Sequence, residues 1–165
     1  MFSYYQLSVP VYTRALQQLS HLLDKASDYA LAKKVSDDTM LGLRLAPDML
    51  PFVKQIQIAC DTSKFAVARL SDTAAPKHED NEKTLAELKE RIADTLKFIQ
   101  SVPEASFANA AAKTIQLPYM PNPMSADVYL LQFVAPNLYF HVSMAYALLR
   151  NNGVEIGKMD YLGPI

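Results

Sequence analysis

Tyr5, Val9, Tyr12, Leu16, Leu19, Leu23, Ala26 and Ala30 follow one another in alternating steps of four and three residues. That spacing puts every one of them in a single stripe along an α-helix. A helix with so continuous an apolar stripe needs partners to cover it, so the rest of the chain has to supply further helices along the same seam. The segment spans about Tyr4 to Ala30. Pro10 is tolerated only in a first turn or at a kink, so the regular helix is expected to begin near Ser8, a good N-cap residue.

Three more helical segments can be read. After "KKVSDDTMLGLRLA", Pro47 at a first helical position and acidic Asp48 behind it mark the start of the second, which should run to about Leu70. Met49, Phe52, Val53, Ile56, Cys60 and Val67 share one side of it; Lys54, Gln57, Asp61 and Lys64 fall opposite, and Asp48 and Gln55 flank the stripe. The polar connection "SDTAAPKHEDNEK" leads to a third helix marked by Leu85, Leu88, Ile92, Leu96 and Ile99. Its outer face carries Glu87 and Arg91 at i, i+4 spacing, and it ends near Val102-Pro103. The fourth runs from about Ala126 to Asn152, closes at "NNG", and should be bent or divided at Pro136.

Between the third and fourth helices lies "PEASFANAAAKTIQLPYMPNPMS", far longer than the ~2 to 8 residues a bundle connection needs. It must carry structure of its own. "KTIQL" reads as a short strand, and the prolines at 118, 121 and 123 enforce an extended path after it. The tail "GVEIGKMDYLGPI" alternates apolar with polar residues and should fold back over the bundle, where Lys158 and Asp160 could share an end with Arg44 and Asp48.

The composition fits one all-α domain over residues 1–165: half the residues are hydrophobic, 20% are charged, and there are 4 glycines. Sixteen basic against 17 acidic residues give a net charge of -1, and no basic cluster with interleaved aromatics occurs. Nucleic acid is therefore not an expected partner. Cys60 has no second cysteine to pair with, and "MFSYYQLSVPVYTR" has neither the basic start nor the apolar core of a signal peptide. A cytoplasmic location is expected.

"PNLYFH" at residues 136–141 sits in a 22-residue run, Val128 to Leu149, without one formally charged side chain. The run is long enough for a membrane span, but Gln132, Pro136, Asn137, His141 and Ser143 would all lie at membrane depth and no basic cluster flanks it, so a buried bundle helix is the better reading. Drawn as one helix, it places Asn137 and His141 with Leu130, Val134, Ala145 and Leu148. Unpaired there, either would cost on the order of 1 to 3 kcal/mol, so both need partners: other helices, water or a ligand.

A zinc or iron site wants three or more converging His, Cys or carboxylate ligands. Only three histidines exist, with His21 on the outer face of helix one and His78 in a polar loop. His141 is thus at most a lone metal-ligand candidate. Cys60, on an apolar stripe, reads as a small buried hydrophobe rather than a nucleophile. Arg44 and Asp48 straddle the entrance of the second helix, as an ion pair or as a clamp on a ligand. Gly-rich phosphate loops, Gly-x-Ser-x-Gly and Cys-x-x-Cys are all missing.

The strings "LRLAPDMLPFVKQIQIACDTSK", "PNLYFHVSMAYALLRNNG" and "IGKMDYLG" together resemble an uncharacterised family grouped with the DinB/YfiT-like four-helix bundles. The resemblance covers essentially the whole chain. It implies an up-down-down-up bundle, often dimeric, with a loop or short hairpin excursion between helices three and four. The wider superfamily includes metal-dependent thiol transferases and isomerases whose site resembles one His from helix two plus a His-x-x-x-His pair from helix four. His141 matches the second of that pair, Asn137 stands at the first, and Gln55 or Gln57 lies near the helix-two position, Gln55 being the one that borders the apolar stripe. Amides are poor ligands for zinc or nickel. The resemblance therefore implies an incomplete metal site with no cofactor expected, a divalent metal being the lesser alternative. The expected function is small-molecule binding in a pocket lined by Gln55, Asn137, His141, Asp48 and Arg44. A non-catalytic homodimeric interaction protein and a metal-dependent thiol transferase or isomerase are the alternatives.

Overall fold

A computed structural model describes residues 2–164 of the chain. Its main helices are α1 (Val9–Lys33), α3 (Phe52–Ser71), α4 (Leu85–Ser101) and α6 (Ala135–Asn151), with short helices α2 (Asp37–Leu41), α5 (Ala126–Val128) and α7 (Lys158–Leu162) around them. Between α5 and α6, Tyr129–Val134 forms a π-helical segment, so the chain stays helical from 126 to 151. Pro136 therefore does not divide this helix. It stands in the first turn of α6, and the wider π turn lies directly before it.

The stripe on α1 is the spine of the core: Leu16, Leu19, Leu23 and Ala26 are fully buried. Full burial of one such leucine stabilises the fold by about 1.5 to 3 kcal/mol. α1 lies between α4 and α6, and α3 completes the ring between the same two helices. Side-chain links fix the directions. Lys89 reaches Asp24 and Leu85 N–H donates to Asp37, so α4 runs antiparallel to α1. Tyr29 donates to the Asn152 carbonyl, while Val11 and Tyr139 share one cavity wall, so α6 runs parallel to α1. Gln55 meets His141 and Thr62 meets Asn137, so α3 and α6 are antiparallel. The result is an all-α, up-down-down-up four-helix bundle.

The excursion before the fourth helix holds a two-residue hairpin, Thr114 opposite Ser125 and Ile115 opposite Met124, preceded by two 3₁₀ turns, Glu104–Phe107 and Ala110–Ala112. The tail does fold back. Val154 and Ile156 are buried, His21 is 2.9 Å from Asp160, and Arg14 donates to the Leu162 carbonyl. Asp160 thus pairs with α1 and not with Arg44 or Asp48.

Several local expectations are corrected. The second long helix begins at Phe52, behind Pro51, because residues 42–51 close on themselves first: the Phe52 N–H donates to the Leu43 carbonyl. α2 is an addition to the four expected helices; Ser36 accepts from the Thr39 N–H, and Asp37 and Asp38 supply its acidic first turn. Ser8 stands at the N-cap of α1 but donates its hydroxyl back to the Tyr4 carbonyl at 2.6 Å instead of capping. Glu87 closes a capping box with Thr84, leaving Arg91 to turn inward. Gln57 and Lys64, expected on a wet face, are buried at 2% and 1% exposure because α4 covers that side of α3.

The inward-facing charges form one cluster. Arg91 donates to Glu82 at 2.8 Å and to Asp61 at 3.1 Å and lies 3.0 Å from Asp80; Lys64 pairs with Asp61 at 2.8 Å. Gln57 also donates to Glu82, and Lys54 to Asp80. The polar connection from 72 to 84 is held against α3 and α4 by these contacts. Burial works to raise the Glu82 carboxyl, but hydrogen bonds from Arg91 and Gln57 outweigh it and hold the group below its ordinary range. Asp80 is lowered in the same way, burial being outweighed by Lys54 and Arg91.

Candidate functional site

The α3–α6 seam carries the polar side chains singled out in "PNLYFH". His141 is 7% exposed, and its Nδ1 lies 2.7 Å from Gln55 Oε1. The orientation of the Gln55 amide is set by its other end, because Nε2 donates to the Leu50 carbonyl at 2.9 Å. An oxygen therefore faces the imidazole, and Nδ1 must be the protonated nitrogen. Nε2 keeps the lone pair. Burial lowers the His141 pKa from its ordinary 6.5, which favours the neutral ring near pH 7.

Asn137 turns elsewhere. Its Nδ2 donates to Thr62 Oγ1 at 2.8 Å, and it is half-buried at the rim of a cleft between α3 and the π segment. Asp61, Thr62, Phe65 and Arg69 line this cleft from α3, Tyr129 and Phe133 from the π segment, and Tyr119 from the excursion, around a volume of about 260 Å³. Arg69 donates from Nη1 to the Tyr129 hydroxyl at 2.7 Å, and its guanidinium carbon lies 5.1 Å from the Phe65 ring centre and 5.8 Å from that of Tyr129. Tyr129 stacks on Phe133 with centroids 6.0 Å apart and planes 15° apart. Burial raises the Tyr129 phenol, against the opposing pull of Arg69.

The five residues picked from the sequence thus separate. Gln55 and His141 meet; Asn137 opens onto the neighbouring cleft; Arg44 and Asp48 are exposed in the connection before α3 and make no ion pair with each other. Arg44 instead donates to the Met49 carbonyl, one residue before the carbonyl that orients Gln55. Sequence reasoning misses Arg69 and Thr62, and the only signal for either is position: Thr62 lies about two helix turns and Arg69 about four beyond Gln55 on α3. Cys60 is fully buried, and desolvation pushes its thiol up to about 12, against the nucleophile reading.

The superfamily's metal chemistry asks for a donor set that these residues do not make. Gln55 Oε1 already accepts from the His141 ring, Asn137 donates to Thr62, and among the described residues no group of three His, Cys, Asp or Glu side chains is placed to hold a metal ion. One imidazole with two engaged amides does not suit zinc or nickel. Among the described residues, no helix is long and apolar enough to cross a membrane.

Fold and seam together define a DinB-like four-helix bundle. Residues 4–162 match the family described as "Domain of unknown function (DUF1993)", and the chain belongs to that family. It is also similar to the crystal structure of a DinB family member protein from Shewanella denitrificans, at 45% identity and a TM-score of 0.93, over 98% of this chain and 92% of that one. No curated protein matches.

Proposed function

We propose that the chain is a cytoplasmic small-molecule-binding bundle whose ligand occupies the cleft between α3 and the π segment, with Asn137 at its rim. The observation that carries this reading is the cleft itself, where one cation, one amide and several aromatic rings converge on about 260 Å³. That lies just under the ~300 to 1,000 Å³ of pockets for drug-sized ligands, so a compact metabolite is the right scale. The π turn adds support, since such turns are enriched at functional sites and cost helix regularity. Gln55 and His141 brace the same seam one turn further along, with Arg44 steadying the loop that orients Gln55; Asp48 has no part in it.

A thermal-shift screen with small soluble metabolites tests this. Compounds that raise the Tm of wild type should lose their effect on Asn137→Ala; if every active compound stabilises that folded variant equally, the cleft is not the site. Stoichiometric zinc or nickel in tag-free protein, lost in His141→Ala, would restore the thiol transferase or isomerase reading in its place.

A second reading, homodimerisation, has an observation of its own. Leu131, Tyr139 and Phe140 on the fourth helical segment are 55%, 42% and 50% exposed, apolar side chains that a second copy could cover. Light scattering should give twice the chain mass for wild type and the single mass for Phe140→Asp. A monomeric wild type at micromolar concentration removes this reading.

A further inference from the structure

We infer that the ligand of the α3–π cleft is a small monocarboxylate with a flat apolar body, seated on Arg69; this rests on the cleft being the ligand site. Two charged side chains line the cleft, and they differ in how they are engaged. Asp61 is already held by Lys64 at 2.8 Å and by Arg91 at 3.1 Å. Arg69 has no carboxylate partner among the described residues; its one side-chain hydrogen bond goes to a neutral phenol. The charge left for a ligand to meet is therefore positive.

The number and setting of the donors narrow the class. A guanidinium has five N–H groups, and Tyr129 takes one, which leaves an edge able to grip a carboxylate through two parallel bonds. Thr62 accepts from Asn137 and keeps its own hydroxyl proton, and the Asn137 amide keeps a second N–H. One cation with neutral donors suits a monoanion; a phosphate dianion would ask for more positive charge. A cationic ligand is disfavoured too, because the Phe65 and Tyr129 rings that could cage it already face Arg69. Phe133, backed by the buried Tyr129 ring, and the exposed Tyr119, tilted 41° to Phe133 at 6.5 Å, offer flat apolar surface to the remainder of the molecule.

Calorimetric titration at low ionic strength with benzoate, benzamide, benzylamine and inorganic phosphate as probes tests the class. Benzoate should bind saturably and the other three weakly or not at all. Arg69→Met should weaken benzoate by about tenfold to a hundredfold, the worth of one charge-assisted contact, with Arg69→Lys losing less. Both variants are checked for wild-type Tm. If benzamide, benzylamine or phosphate binds as well as benzoate and Asn137→Ala abolishes it, the charge assignment falls while the cleft stands as the site. If neither benzoate nor any compound of the metabolite screen responds to Arg69→Met or Asn137→Ala, both fall.

Discussion

Arg91→Ala is expected to lower the free energy of unfolding by about 3 kcal/mol, the low end of what removing one partner of a buried ion pair costs. The guanidinium side chain is 2% exposed, while Asp61 and Asp80 are 34% and 45% exposed and can be rescued by water. Glu82, at 9%, cannot, and its stranded charge supplies most of the loss. Chemical denaturation with an unchanged slope and a shifted midpoint is the measurement; a loss under ~1 kcal/mol would mean the cluster behaves like ordinary surface pairs. The pH dependence follows from the carboxyl groups. Glu82 and Asp80 sit below their ordinary values of 4.5 and 3.8 in the folded state, so the unfolded chain binds protons first as pH falls. Their contribution is complete above those ordinary values and disappears as pH drops through the lower folded ones. In Arg91→Ala that acid-side decline should be shallower.

The same cluster explains where reading the sequence succeeds and where it fails. The α1 stripe, the alternation on α4 and the short strand at 114–115 follow from the sequence pattern, because each depends on local geometry that the chain itself encodes; the hairpin that pairs this strand with 124–125 is implied only by the family resemblance. A helical wheel puts Gln57, Lys64 and Arg91 on wet faces because it assumes one covered side. α3 is covered on two, by α4 and α6; Gln57 is buried against Glu82 of the 72–84 connection, and Lys64 against Asp61 of α3 itself. Wheel geometry cannot foresee a partner that comes from a loop. Similarly, the position of Asn137 and His141 in an apolar stripe announces that they need partners, and Gln55 is legible as one of them. Thr62 and Arg69 are not, since the π segment from Tyr129 to Val134 changes which residues of the fourth helix face α3, and no hydrophobic period signals an i→i+5 turn.

Gln55→Leu is expected to cost about 2 kcal/mol, because it leaves the buried His141 Nδ1–H without an acceptor and the Leu50 carbonyl without its donor. His141→Leu alone should cost somewhat less, stranding only the Gln55 oxygen. The double variant is the informative one. With both polar groups replaced by apolar ones of similar size, the imidazole and amide leave no orphan in the seam, the Leu50 carbonyl sits in a half-exposed residue that water can reach, and stability should return to within ~1 kcal/mol of wild type. Such a coupling would show that the pair is not kept for stability, since two leucines fill its place as well. Strictly additive losses would instead show that each side chain acts through packing alone. pH supplies an independent readout. Burial lowers the His141 pKa from 6.5, so wild-type stability is full above that value and declines as pH falls through the lower folded one. Both variants that lack the imidazole should lose this part of the slope, and a His141→Leu variant that kept it would locate the titration elsewhere.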